Sequence, residues 1–133
     1  MRLSPGQGAA GARDRSFLLR RDRAAAPALR AMFPAIEQLR LEMRFEGSST
    51  SIPVSQTHVL HPPARAYFVF PCPYADCDGQ FDLAAAVSAN SEASSRTEGV
   101  LVCGGMRVSN RASRRPCQLH LHYVITATYA AMP

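Results

Sequence analysis

Gln38-Leu39-Arg40-Leu41-Glu42-Met43-Arg44-Phe45-Glu46 changes character at every step. Leu39, Leu41, Met43 and Phe45 are apolar, and the residues between them are charged or amide. Successive side chains of an extended chain point to opposite faces, so a period of two marks a half-buried strand with one wet face. The pattern sets in at Ile36 and ends at the Gly- and Ser-rich stretch Gly47 to Pro53, which reads as a loop.

The same reading extends along the chain. Val54 to Leu60 is a short extended piece stopped by Pro62-Pro63. Ala66-Tyr67-Phe68-Val69-Phe70 is a near-continuous apolar run, the expected form of a central strand buried on both faces. Phe81 to Ala89 is apolar and ambiguous between strand and helix, and Asn90 to Gly99 is a polar loop. Val100-Leu101-Val102 reads as a second buried strand, leading into Cys103. The last segment sets Leu119, Leu121, Tyr123, Ile125 and Tyr129 on one face and Gln118, His120, His122, Thr126 and Thr128 on the other. Several such strands with turn signals between them predict a mainly β fold built on a small antiparallel sheet.

Four cysteines punctuate this pattern: Cys72, Cys77, Cys103 and Cys117, spaced C-x4-C and then C-x13-C. Cys72 and Cys77 lie in Pro71-Cys72-Pro73-Tyr74-Ala75-Asp76-Cys77-Asp78-Gly79, directly after an apolar run. A tight loop at a strand end lets two thiolates face one ion, and Gly79 is expected to supply a positive φ there. Cys103 ends one strand and Cys117 begins the next, so they bracket a hairpin. Two such pairs would make a closed tetrahedral thiolate site, the way structural Zn2+ is held. Disulfides 72–77 and 103–117 are the competing reading. They need an oxidising compartment, and Phe17-Leu18-Leu19 is too short for the apolar core of a secretion signal. Zinc is therefore preferred to disulfides, and disulfides to four inert thiols.

Cys72-Pro73, Cys77, the Cys103-Gly104-Gly105 turn and the strands that carry them resemble the zinc-ribbon class. The resemblance covers about half the chain. It departs from the usual C-x2-C in each knuckle, because the first knuckle here is longer and the second pair is spread over a loop. It implies a zinc-ribbon-like four-cysteine knuckle, a structural metal, and a binding or adaptor role for a protein or nucleic-acid partner.

Other chemistry is less well supported. Asp76, Asp78, Gly79 and Asp82 resemble the middle of a calcium loop, but the first and twelfth positions would be Tyr74 and Ala85, which bring no carboxylate. The Asp residues are expected to cap the knuckle instead. His120 and His122 share a strand face, as i and i+2 do, and a small metal-dependent or hydrolytic enzyme using them with nearby Asp residues is the alternative function. A catalytic zinc needs three protein ligands, and neither His58 nor His61 can be placed as the third from sequence. Deaminase, nucleophile-elbow and P-loop motifs are absent. Arg107, Arg111, Arg114 and Arg115, in a loop with no acid, are candidate phosphate contacts. The alternative reading has them offset the charge of four thiolates and the neighbouring Asp residues. A third role, a structural subunit whose sheet edge pairs with itself, follows from the β-rich pattern alone.

Charge separates the chain into two parts. All 15 basic residues are Arg. Residues 1–31 hold seven of them against Asp14 and Asp22, and the other eight are balanced by eight acids. The high isoelectric point therefore belongs to the N-terminal arm, which argues against a generally basic nucleic-acid binder. Residues 1–31 are expected to be a disordered or weakly helical Arg/Ala-rich arm, a transit-type peptide, or an upstream extension with Met32 as the natural start, the last being preferred. Residues 32–133 are then a single β-rich zinc-binding domain. Lys-free, Ala- and Arg-rich usage suggests a GC-rich bacterial gene. No run reaches the roughly 20 apolar residues of a membrane span, and a cytoplasmic location is expected.

Overall fold

The computed structural model describes residues 18–47, 54–90, 95–110 and 113–130. Among these residues, helical segments α1 (residues 18–25), α2 (Leu29–Met32) and α3 (Ala84–Ser88) accompany eight strands. The strands are β1 (Ile36–Glu46), β2 (Ser55–Leu60), β3 (Val69–Pro71), β4 (Gln80–Asp82), β5 (Arg96–Val102), β6 (Met106–Asn110), β7 (Ser113–Pro116) and β8 (His120–Tyr129). The fold is mainly β and antiparallel, as the alternating pattern requires.

A four-stranded sheet in the order β2-β1-β8-β5 forms the frame. The two long alternating strands lie side by side at its centre, with Leu41 opposite Ile125 and Phe45 opposite Leu121. That register stacks both apolar faces on one side of the sheet. Leu39, Leu41, Met43, Phe45, Leu121, Ile125 and Ala127 are all buried there. The face is covered by the β3–β4 hairpin, α2 and α3, through Phe68, Phe81, Leu83, Val87 and Leu29. Phe45 and Phe81 meet at 5.8 Å between ring centres. The opposite face carries exposed pairs such as Arg40–Glu42 and Arg44–Glu46, which contribute little stability individually.

Two strand expectations are corrected. Ala66 to Phe70 is not a central strand. Only Val69–Pro71 is extended, and it pairs solely with β4 in a two-stranded ribbon. Its apolarity serves the layer over the sheet, where Phe68 is buried. Val100–Val102 is not buried either: it belongs to the edge strand β5, and Val100 and Val102 remain 49% and 52% exposed. β5 starts at Arg96, inside the stretch expected to be a loop. Gly99 belongs to the strand because the Tyr123 ring lies over it, with Cζ 2.8 Å from where a Cβ would stand. The ambiguous segment Phe81 to Ala89 resolves into the end of β4 followed by α3, and Asp82 Oδ1 accepts the Ala84 N–H at 2.9 Å at the helix start.

Part of the arm is structured. The division expected after residue 31 passes through α2, whose Leu29 is fully buried in the core. The Leu29 N–H donates to Ala64 O at 2.7 Å and the Ala66 N–H to Pro27 O at 2.8 Å, closing a short antiparallel bridge between Ala28 and Arg65. Leu29→Ala is expected to cost about 2–5 kcal/mol, the usual penalty for emptying a buried leucine site, as read from the midpoint of urea unfolding. An unchanged midpoint would mean that this segment adds nothing to the core.

Candidate metal centre

The four cysteines converge where the two ribbons meet. The first knuckle closes the β3–β4 hairpin: the Cys72 N–H donates to Gly79 O at 3.0 Å and the Cys77 N–H to Tyr74 O at 3.2 Å. The second pair sits where the β5–β8 ladder passes into the β6–β7 ladder. There the Cys103 N–H donates to Leu119 O at 2.8 Å, and the Cys117 N–H to Gly105 O at 3.0 Å. Cys103 and Cys117 thus bracket a hairpin, as their spacing implied. The knuckle then lies along β6 as a short extra strand. The Val108 N–H donates to Asp76 O, the Asp78 N–H to Met106 O, and Cys77 bridges Arg107.

This arrangement places all four sulfur atoms within 4.8 Å of one another. Two contacts join one pair to the other, Cys72 Sγ to Cys117 Sγ at 3.7 Å and Cys77 Sγ to Cys103 Sγ at 3.6 Å. Four thiolates about 2.3 Å from one tetrahedral ion would stand about 3.8 Å apart, so the sulfur cage has the size a single ion needs. Cys72, Cys77 and Cys103 are buried and Cys117 is half-buried. Burial pushes the Cys77 thiol up to about 12 and raises Cys72 as well; Cys103 and Cys117 add to both. Anionic sulfur in this cage therefore calls for a cation.

Backbone donors already point at the sulfurs. The Gly79 N–H lies 3.3 Å from Cys77 Sγ and the Gly105 N–H 3.4 Å from Cys103 Sγ, and the Tyr74 backbone lowers the Cys72 thiol in the same way. In each case the donor is two residues past the cysteine. A hydrogen bond to the charged form favours it. Gly79 does not have the expected positive φ, since no glycine among the described residues does. Its role is close approach: a Cβ there would collide with Cys103 Sγ and stand 2.9 Å from the Gly105 nitrogen. Gly105 is confined reciprocally by the Gly79 backbone.

The other candidate residues disperse. Arg107 Nε donates to Asp76 Oδ1 at 3.0 Å, and its guanidinium lies 3.8 Å from the centre of the Tyr74 ring. It ties β6 to the knuckle, as the charge-balance reading anticipated. Asp78 Oδ1 accepts the Met106 N–H at 2.8 Å, so both Asp residues do brace the knuckle turn. Arg114 and Arg115 are exposed on β7, and Arg111 lies outside the described residues. His122 pairs with Glu46 at 2.8 Å on the outer sheet face, and with Arg44 it holds that carboxyl below the usual range. His120 Nδ1 lies 3.1 Å from Gln118 O. His58 is on the opposite face, against Phe70. Among the described residues, no other group of three His, Cys, Asp or Glu side chains gathers at metal-holding distance.

No protein-family model, curated protein or solved structure matches this chain. Fold and site together define a small β domain whose cysteine cluster is compatible with a metal-binding module. No helix among the described residues is long and apolar enough to cross a membrane.

Proposed function

We propose that the chain is a zinc-stabilised binding module, with Cys72, Cys77, Cys103 and Cys117 as the ligands of one structural Zn2+. The observation that carries this reading is the set of four sulfur atoms within 4.8 Å of one another. Four protein ligands fill a tetrahedral shell and leave no position for substrate, which is the form of a structural site. The knuckle hydrogen bonds fit the zinc-ribbon resemblance at the level of local geometry. Tetrahedral all-sulfur sites take zinc or iron, and elemental analysis separates the two. Protein purified under reducing conditions should carry one zinc per chain and be colourless. Stoichiometric iron, or metal-free protein with four titratable thiols, would reject the assignment.

The partner-binding face on this reading is the β6–β7 hairpin. Arg107 is spent on the knuckle, whereas Arg114 and Arg115 stand exposed beside it. If the partner is a nucleic acid, each phosphate contact adds a salt slope of about −0.7 to −0.9 in log affinity against log salt. Replacing Arg114 and Arg115 by Gln in the full chain should flatten that slope by one to two contacts, with metal content unchanged. No oligonucleotide binding near physiological salt would eliminate nucleic acid and leave a protein partner.

A further inference from the structure

A cleft of about 740 Å³ opens between the β2 edge of the sheet and the first knuckle. Its volume falls within the roughly 300–1,000 Å³ of small-molecule sites. One wall is apolar: Phe70, Pro71 and Pro73 lead into the knuckle. Leu60, Ala64 and Ala75 extend the apolar lining, and Arg23 and Arg65 bring positive charge to it. Among the described residues that line it there is no carboxylate. Burial raises the Tyr67 hydroxyl; Asp22 and Asp82, both outside the lining, stand near enough to add to it, and Asp22 pairs with Arg21 at 3.9 Å.

The ring surfaces are arranged for a flat guest. His58 stacks against Phe70 with centres 4.9 Å apart and planes 34° from parallel. Arg23 lies 5.8 Å from the centre of the Tyr67 ring. Burial and the Arg23 charge both lower the His58 basicity, so His58 stays neutral near pH 7 and offers an aromatic face. Its Nε2 stands 3.3 Å from Gln56 Oε1, which fixes the ring. Arg65 is positioned from behind, since its Nη1 donates to Ala26 O at 2.9 Å. Docking of the N-terminal segment thus sets one cation and supplies the other.

We propose that this cleft binds a small aromatic carboxylate, with Arg23 and Arg65 at the carboxylate and the Phe70, His58 and Tyr67 rings lining the space for its ring. Guanidinium forks match carboxylates in geometry as well as charge. Planar aromatic ligands suit a site lined by rings, since ring pairs attract beyond the area they bury. The proposal does not depend on which metal the cysteines hold, or on any macromolecular partner.

Calorimetric and NMR titrations of the full chain with benzoate, naphthoate and indoleacetate, each against its uncharged amide, test the proposal. At least one carboxylate should bind saturably at millimolar concentration or below, moving the His58 and Phe70 ring signals. Its amide should bind about tenfold more weakly or worse, the loss expected for charge-assisted hydrogen bonds. Arg23→Gln should weaken the carboxylate by a similar factor while leaving the melting curve unchanged, because Arg23 is exposed. Arg65→Gln also touches the Ala26 contact and is read only beside its own melting curve. Absence of saturation for all three carboxylates would overturn the proposal, as would equal binding of acid and amide. Undiminished binding to Arg23→Gln would do the same.

Discussion

Treatment with a strong chelator under reducing conditions is expected to abolish the cooperative melting transition or lower it by more than about 20 °C. Three of the four cysteines belong to the same buried cluster as the sheet core. The knuckle, the β5–β8 ladder and the β6–β7 ribbon meet at these sulfurs, through the backbone bonds around them and through the Arg107–Asp76 and Asp78–Met106 bonds. Apparent binding energies of structural zinc run to about 10–16 kcal/mol in small domains. Whole-domain stabilities are only about 5–15 kcal/mol, so losing even half of the ion's contribution removes most of the margin. Each kcal/mol corresponds to a few degrees in a domain of this size. The sheet core of β1 and β8 sets the limit of the effect, because Leu41, Ile125 and their neighbours remain packed without any ion. Acid should act in the same direction as the chelator. The Cys72 and Cys77 thiols are raised above their ordinary values by burial, so they are protonated at neutral pH unless an ion displaces the protons. Falling pH therefore weakens metal binding. An unchanged melting curve after complete metal removal would show that the cluster adds nothing to the fold.

The central strands were readable because each buries one face only. β1 alternates cleanly and β8 nearly so, and pairing them in register was enough to build the frame. Signals of the same kind misled at β3 and β5. Ala66 to Phe70 is apolar because it roofs the sheet as an irregular layer, and composition does not distinguish a covering segment from a buried strand. Arg96-Thr97-Glu98-Gly99 is polar because β5 is an edge strand, whose outward residues meet water on one face and whose Gly99 yields to Tyr123. Of the site, the identity of the clustering residues was legible from their strand-end spacing. The contacts between the two pairs were not, since they depend on how two ribbons pack, and they join residues 45 and 26 apart in sequence. The cleft beside β2 gave no sequence signal at all. Its lining comes from the N-terminal segment, an edge strand and the knuckle, which only the fold brings together.

Gly79→Ala is expected to empty the proposed metal site, although it adds a single methyl group. The Cβ of an alanine there would be driven into Cys103 Sγ and would also stand 2.9 Å and 3.0 Å from the Gly105 N and Cα atoms. A flexible side-chain tip could swing aside, but two of the three obstacles are backbone and the third is a proposed ligand. Moving Cys103 Sγ away disturbs its 3.6 Å approach to Cys77 Sγ, and moving the 79 backbone disturbs the N–H bond to that same Cys77 sulfur. Either route spoils the tetrahedron. Overpacking alone costs about 1–3 kcal/mol; the larger loss comes with the ion, so the variant should melt like chelated wild-type protein and carry far less than one metal per chain. Gly104 provides the matched control. It lies in the facing turn, next to Cys103 in the chain, and an added Cβ meets nothing within 4 Å. With no positive φ to forbid it, Gly104→Ala should change stability by no more than about 1 kcal/mol, in the favourable direction, through the lower entropy of its unfolded chain. Metal content and melting temperature, measured side by side on the two variants, decide the matter. Wild-type values for Gly79→Ala would mean that the two knuckles do not pack backbone to backbone at this glycine, and would remove the close approach on which the sulfur cage depends.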